Sequence, residues 1–317
     1  MAEKSALQTM PAASALGTSA WKDSNLEPFL QLLISGIATG AAYALAAVGF
    51  ALLWQTSGTI NFAQGEFVSA AALMMVAAMH LLGVGPLVAF VIALPVALVV
   101  FGVVFKQVLV ERLLKRGDFA LVIATLGLSI FIREVSRLVM GAEPFAFPAI
   151  AGDGVLRLGS LVISVNDVVT IALVALIIAL LQLFLKRTFV GRSMEATAQN
   201  TEVARILGID VDRMILYTFL LNAALITVGA LLITPKYQAK FSNGEALGLV
   251  AFMAAIVGGF NQVRGALIGG FLIGVLDNLG AYYVSTTYRS AFPILLLVIV
   301  ILFKPEGLFG RKEERKI

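Results

Sequence analysis

Residues 29–54 read FLQLLISGIATGAAYALAAVGFALLW, a stretch without a single Asp, Glu, Lys or Arg. An α-helix of this length crosses the roughly 30 Å hydrocarbon core of a bilayer. The apolar residues run on without the alternation that a barrel strand facing a polar lumen would show, so a spanning strand is excluded. The same texture recurs along the chain at Asn61–Leu82, Pro86–Phe105, Phe119–Met140, Val168–Leu185, Met214–Ile233, Ala246–Phe260, Gly265–Tyr283 and Ala291–Phe303. Of the 317 residues, 60% are hydrophobic and only 13% charged, about half the charged share of a soluble domain. The expected fold is an all-α integral membrane protein, a polytopic helix bundle of 8–9 membrane segments. One of the first two segments is the candidate for a broken or re-entrant helix: the first is long, and the second opens on polar residues. Residues 1–28 are expected to form an N-terminal tail, 29–304 the transmembrane domain and 305–317 a C-terminal tail.

Several chemistries are excluded at once. The chain has no cysteine and one histidine, His80, which leaves no thiolate nucleophile, no multi-histidine metal site and few catalytic constellations, so a membrane enzyme is a distant third reading. The net charge of +4 does not indicate nucleic acid, because the bases sit in short loops between apolar runs. Basic residues concentrate in three places: Lys106–Arg116, Lys186–Arg213 and the segment after Lys304. These loops are therefore assigned to the cytoplasmic side and Gly141–Asp167, Pro235–Glu245 and Ser285–Ser290 to the outside, which puts the N-terminus outside.

The connector 186–213 is too long for a tether. Ser193 is read as a helix cap with Glu195 in the first turn, and Met194, Ala198, Thr201, Arg205 and Gly208 fall roughly on one face. Gly208 can close the helix in a left-handed cap, with Ile209 as the apolar contact beyond it. A single short amphipathic helix at the cytoplasmic face is expected.

Here the chain resembles a known family. Glu195-Ala196 followed by Gly208-Ile209 is similar to the EAA-type loop of ABC importer permeases. Further pieces run in the same order: Gly58-Thr59-Ile60-Asn61-Phe62-Ala63-Gln64-Gly65-Glu66, Gly191-Arg192 with Ala204–Ile209, Gly258-Gly259 with Gly265–Gly270, and Lys304–Gly310. Together they resemble the branched-chain amino acid ABC importer permeases of the LivH type, over about Phe29–Gly310. Departures include Gln64, where the family often has His, and Phe260–Arg264, which replaces a Gly/Ser/Pro-rich connector. The resemblance implies a bacterial inner-membrane, multi-pass subunit that pairs with a second, related permease, two ATPase subunits and a periplasmic binding protein. It also implies that Arg192, Glu195, Ala196, Arg205, Gly208 and Ile209 couple to the ATPase. The chain contains no Gly-Lys dipeptide, hence no phosphate-cradling loop; ATP and Mg are expected on the ATPase subunits, with no cofactor in this chain.

Polar groups inside apolar runs are costly unless they meet a partner or a cavity, so they nominate a substrate path. Asn61, Gln64 and Glu66, beside Gly58 and Gly65, either begin a helix or mark a break in one. Asn222, Asp277 and Asn278 complete the candidates. For Asn222 an interhelical hydrogen bond is the simpler role; for Asp277, pairing and cavity lining stand equal. Glu134 and Arg137 have the i,i+3 spacing of an exposed ion pair, and the pairs Gly36/Gly40, Gly265/Gly269 and Gly270/Gly274 have helix-packing spacing. The expected cargo is a branched-chain or other neutral amino acid, with urea, short amides and aromatic carboxylates as alternatives. A rival from another class is an ion-coupled carrier using Glu66 and Asp277.

Overall fold

The computed structural model describes residues 18–114 and 116–310. Its helices are α1 (Thr18–Ser57), α2 (Gln64–Leu82), α3 (Pro86–Ala97), α4 (Glu111–Leu114), α5 (Asp118–Met140), α6 (Val165–Arg187), α7 (Phe189–Gln199), α8 (Thr201–Ile206), α9 (Val211–Tyr237), α10 (Asn243–Gly258), α11 (Val263–Tyr283) and α12 (Ala291–Phe303). Between α3 and α4 the chain continues without a break as a π-helix, Leu98–Val110. Two short strands, β1 (Val155–Leu158) and β2 (Leu161–Ser164), pair as an antiparallel hairpin ahead of α6.

Seven of these segments are long and apolar enough to cross a membrane; α10 and α12 are shorter apolar helices. At 16 and 13 residues they measure about 24 and 20 Å. The polytopic helical bundle expected from the apolar runs is therefore present. α1 begins at Thr18, so the expected boundary at residue 28 falls inside a helix; residues 1–17 lie outside the described ones. At the other end Pro305–Gly310 fold back under α10, where Leu308 and Phe309 donate backbone hydrogen bonds to Val257 and Gly258 (2.8 and 3.0 Å).

α1 is the central helix, buried along nearly all of Gly36–Leu53. It packs against α11 through glycine: a methyl group added at Gly274 would overlap the backbone of Gly40, and one at Gly270 would collide with Ala44. The glycine spacing seen in the sequence thus serves packing within the chain, by bringing two backbones together. α3, the π segment, α5, α6 and α12 turn Val, Leu, Ile and Phe side chains outward, the face a hydrocarbon solvent requires.

Contacts sort by the side each loop was assigned from charge. Phe145 bridges to Ala239 and Lys236 pairs with Asp167, both among segments placed outside, and Arg289 of the outer loop 285–290 reaches back to Asp277 in α11. Trp54 donates to Asn261 and α7 rests on α1 and α6, all at the cytoplasmic end.

Candidate functional site

The polar cluster Asn61–Glu66 is a helix start buried at mid-depth. The Gln64 amide donates to the Ala46 carbonyl (2.9 Å) and to Asn222 Oδ1 (3.1 Å), and Asn222 Nδ2 donates back to Gln64 Oε1 (3.3 Å). Ala46 and Asn222 lie in the interiors of α1 and α9, so α2 begins about halfway through the bundle. The link 58–63 climbs to that depth; Gly58 has φ +64°, and Thr59, Asn61 and Ala63 are buried. Neither α1 nor α2 is itself interrupted, so of the two readings of this cluster the helix start is the one present. Asn61 Oδ1 accepts from Ala63 N (3.0 Å), and Phe62 N donates to Thr125 Oγ1 of α5 (3.3 Å). Gly49 of α1 leaves the notch that holds the Gln64–Asn222 amide pair; a Cβ there would collide with Asn222.

Two groups at this start lack partners among the described residues: Asn61 Nδ2, and both carboxylate oxygens of Glu66. Glu66 is 1% exposed. Its carboxylate lies against Gly244 at the first turn of α10, and Gly65 lies against Gly244 and Gly248. The positive end of a helix favours a negative charge there, but no hydrogen bond completes the contact.

Nearer the outside the charges are matched. Asp277 receives Arg289 Nε and Nη2, each at 2.6 Å; Nη2 also donates to Tyr237 Oη (2.9 Å), which is 3.0 Å from Tyr43 Oη. Hydrogen bonding to Asp277 holds the Arg289 guanidinium above its usual range. Lys236 Nζ pairs with Asp167 (2.8 Å) and donates to Thr39 Oγ1 (3.2 Å). Arg133 of α5 pairs with Glu245 of α10. Asn278 back-bonds to the Gly274 carbonyl (3.0 Å) beside α1.

The cytoplasmic connector differs from expectation. It is two helices, α7 and α8, broken at Asn200, whose Oδ1 accepts from Glu202 N and Val203 N (both 3.0 Å). Ser193 is not the cap. That role falls to Thr188, whose Oγ1 accepts from Gly191 N (2.9 Å), while Ser193 Oγ donates to the Phe189 carbonyl inside the helix. Gly208 adopts φ +80°, and Ile209 N donates to the Ala204 carbonyl (3.0 Å), the wrap of a glycine C-cap. Arg192, Glu195, Arg205 and Gly208 are exposed, and Ala196 and Ile209 partly so. Phe189, Val203, Ile206 and Leu207 stand out to solvent beside them. A cavity of about 600 Å³ opens between α1, α6, α7 and α11, its lining including Gln55, Gln182, Lys186, Glu195, Gln199 and Arg264.

Comparison with known proteins meets this geometry. The family model described as branched-chain amino acid transport system, permease component, matches residues 32–301. The chain belongs to this permease family. It is 31% identical to the high-affinity branched-chain amino acid transport system permease protein LivH of Escherichia coli K12, over 91% of this chain and 98% of that one. BraD of Pseudomonas aeruginosa matches at the same identity and coverage. The xylose transport system permease protein XylH of Escherichia coli K12 is 29% identical over 50% of this chain and 45% of its own. No solved structure matches. As a permease of this family the chain is a multi-pass inner-membrane protein, the membrane component of an ABC transport system rather than an enzyme.

Among the permease's polar residues, the structure joins Gln64 to Asn222 and brings Glu66 against α10. It leaves Asp277 and Asn278 apart from them, at the outer end. The Glu134–Arg137 pair is present on the surface (2.8 Å). His80 sits at the outer end of α2 against Phe145. Sequence reasoning missed Tyr43, Tyr237 and Arg289 as partners of Asp277; the signal available was a carboxylate within an apolar run with an arginine one short loop away.

Proposed function

We propose that this permease forms half of the pore of an ATP-driven importer for branched-chain or other neutral amino acids. A second, related permease is the other half, a periplasmic binding protein delivers the solute outside, and two ATPase subunits dock on the cytoplasmic face. ATP and Mg are held by those ATPases. The substrate class rests on similarity to LivH and BraD along nearly the whole chain.

The observation that carries the mechanism is the α7–α8 connector. It presents Arg192, Glu195 and Arg205 together with exposed Val203, Ile206 and Leu207. Burying each large apolar side chain against a partner contributes about 1.5–3 kcal/mol. α7 also lines the cytoplasmic cavity through Met194, Glu195 and Ala198, beside the end of α1. Movement of a docked ATPase thus reaches the path through Arg192, Glu195, Ala196, Arg205, Gly208 and Ile209. The path itself runs by Asn61, Gln64, Gly65, Glu66 and Asn222 at mid-depth, with Asp277 and Asn278 at its outer end.

The test is affinity purification of the chain from native membrane, with leucine uptake measured in proteoliposomes. A second permease and an ATPase are expected to co-purify, and Glu195→Lys is expected to lose the ATPase. Gly208→Val strains a left-handed position by about 1–2 kcal/mol and is expected to weaken the same contact. A chain that purifies alone and takes up leucine without ATPase overturns the proposal.

A further inference from the structure

The α2 start has a counterpart. Phe62-Ala63-Gln64-Gly65-Glu66 repeats as Phe241-Ser242-Asn243-Gly244-Glu245. In both, the amide residue opens a helix, α2 at Gln64 and α10 at Asn243. Each follows a long buried helix by a short link. The correspondence extends through the bundle: α1 packs on α11 as α9 packs on α3 and the π segment, α2 on α3 as α10 on α11, α2 on α5 as α10 on α12, and α1 on α10 as α9 on α2. By the charge-derived orientation α1 runs inward and α9 outward, so the two units have inverted topology. They meet at Gly65 and Gly244, where α2 and α10 cross antiparallel: Gly65 lies against Gly248, and Ser69 Oγ donates to the Lys240 carbonyl (2.8 Å). Repeats of this kind commonly place a transport site where they meet.

The equivalent carboxylates have opposite fates. Glu245 is exposed and ion-paired with Arg133, whereas Glu66 is buried without a hydrogen bond and feels the same Arg133 only at longer range. A buried carboxylate without a hydrogen bond is costly as an anion, so it holds a proton until a cationic group displaces it. The same helix start carries a buried amide N–H without a partner, Asn61 Nδ2; the backbone N–H groups of Phe62, Ala63 and Gln64 beside it are taken by Thr125 Oγ1, Asn61 Oδ1 and the Asn61 carbonyl. One orphan acceptor, the Glu66 carboxylate, and one orphan donor, Asn61 Nδ2, complement the two ends of a zwitterion. The crossing is lined by glycine, so α2 and α10 can part without disentangling side chains.

We propose that Glu66 receives the ammonium group, and the Asn61 amide the carboxylate, of a zwitterionic solute when the two repeats separate. This assignment rests on the amino-acid importer reading above. The experiment uses the purified full importer in proteoliposomes, with leucine as probe, reading uptake, ATP hydrolysis and subunit co-purification together. Glu66→Gln is expected to lower leucine uptake about tenfold or more, the loss of a hydrogen bond to a charged group, while the complex still assembles and hydrolyses ATP. The repeat mate Glu245→Gln is expected to stay within about twofold of wild type, as befits an exposed pair. If Glu66→Gln does not assemble, Glu66→Asp decides: a raised KM with intact ATP hydrolysis supports the assignment, and a wild-type KM overturns it. Leucine uptake by Glu66→Gln at the wild-type level overturns the inference alone. A wild-type importer that takes up no leucine overturns the substrate reading and this assignment with it.

Discussion

The outer end of the bundle and its middle treat polar groups differently. At the outer end Asp277, Arg289, Tyr237 and Tyr43 form a closed network, and Lys236 ties Asp167 of α6 to Thr39 of α1. In the middle Gln64 and Asn222 satisfy one another, but Glu66 and the Asn61 amide nitrogen do not find partners. A matched network holds helices in register. An unmatched group costs stability and is retained where function uses it. The outer belt should therefore govern stability and the mid-depth start should govern transport.

The largest expected effect is at Arg289→Ala, which strands a buried Asp277. A loss of roughly 3 kcal/mol is expected, the low end for a broken buried pair because Arg289 is partly exposed, read as a lowered Tm of the purified protein in detergent. Lys236→Ala should follow at about 2 kcal/mol, since Asp167 is buried but the lysine is not fully so. Asn222→Ala sharpens the contrast: one interhelical hydrogen bond in a membrane is worth about 1 kcal/mol, yet leucine uptake is expected to fall far more than the small Tm change implies. Arg137→Ala, removing an exposed pair with Glu134, should cost about 0.5 kcal/mol or less and leave uptake unchanged. A Tm drop larger for Asn222→Ala than for Arg289→Ala, with uptake tracking Tm across all four variants, would break the division between belt and middle.

Much of the bundle was legible because each spanning segment answers to a local condition. An apolar run long enough for the bilayer forms a helix whatever its neighbours do, and loop bases orient it. The same locality explains the errors. Ser193 looks like a cap, but the chain leaves α6 at Arg187 and turns at Thr188, which is positioned first to take the free N–H of Gly191. Asn200 breaks the expected single helix because its side chain competes for backbone donors. Gly208 was readable, since a left-handed helix end favours glycine under any packing. The repeated Phe-x-amide-Gly-Glu was present in the sequence, but two short matches carry weight only once α2 and α10 are seen to cross at them.

By itself the sequence determined a membrane bundle, the absence of a nucleotide loop in this chain and an amphipathic connector over 186–213, each a property of consecutive residues in a known solvent. Only the tertiary structure decided that α2 starts at mid-depth, that Asp277 is neutralised by Arg289 while Glu66 is left unpaired, and that Gln64 meets Asn222 across 158 positions. Whether a buried charge is matched depends on which helices lie side by side, and that is settled by packing between distant segments rather than by the periodicity of any one of them.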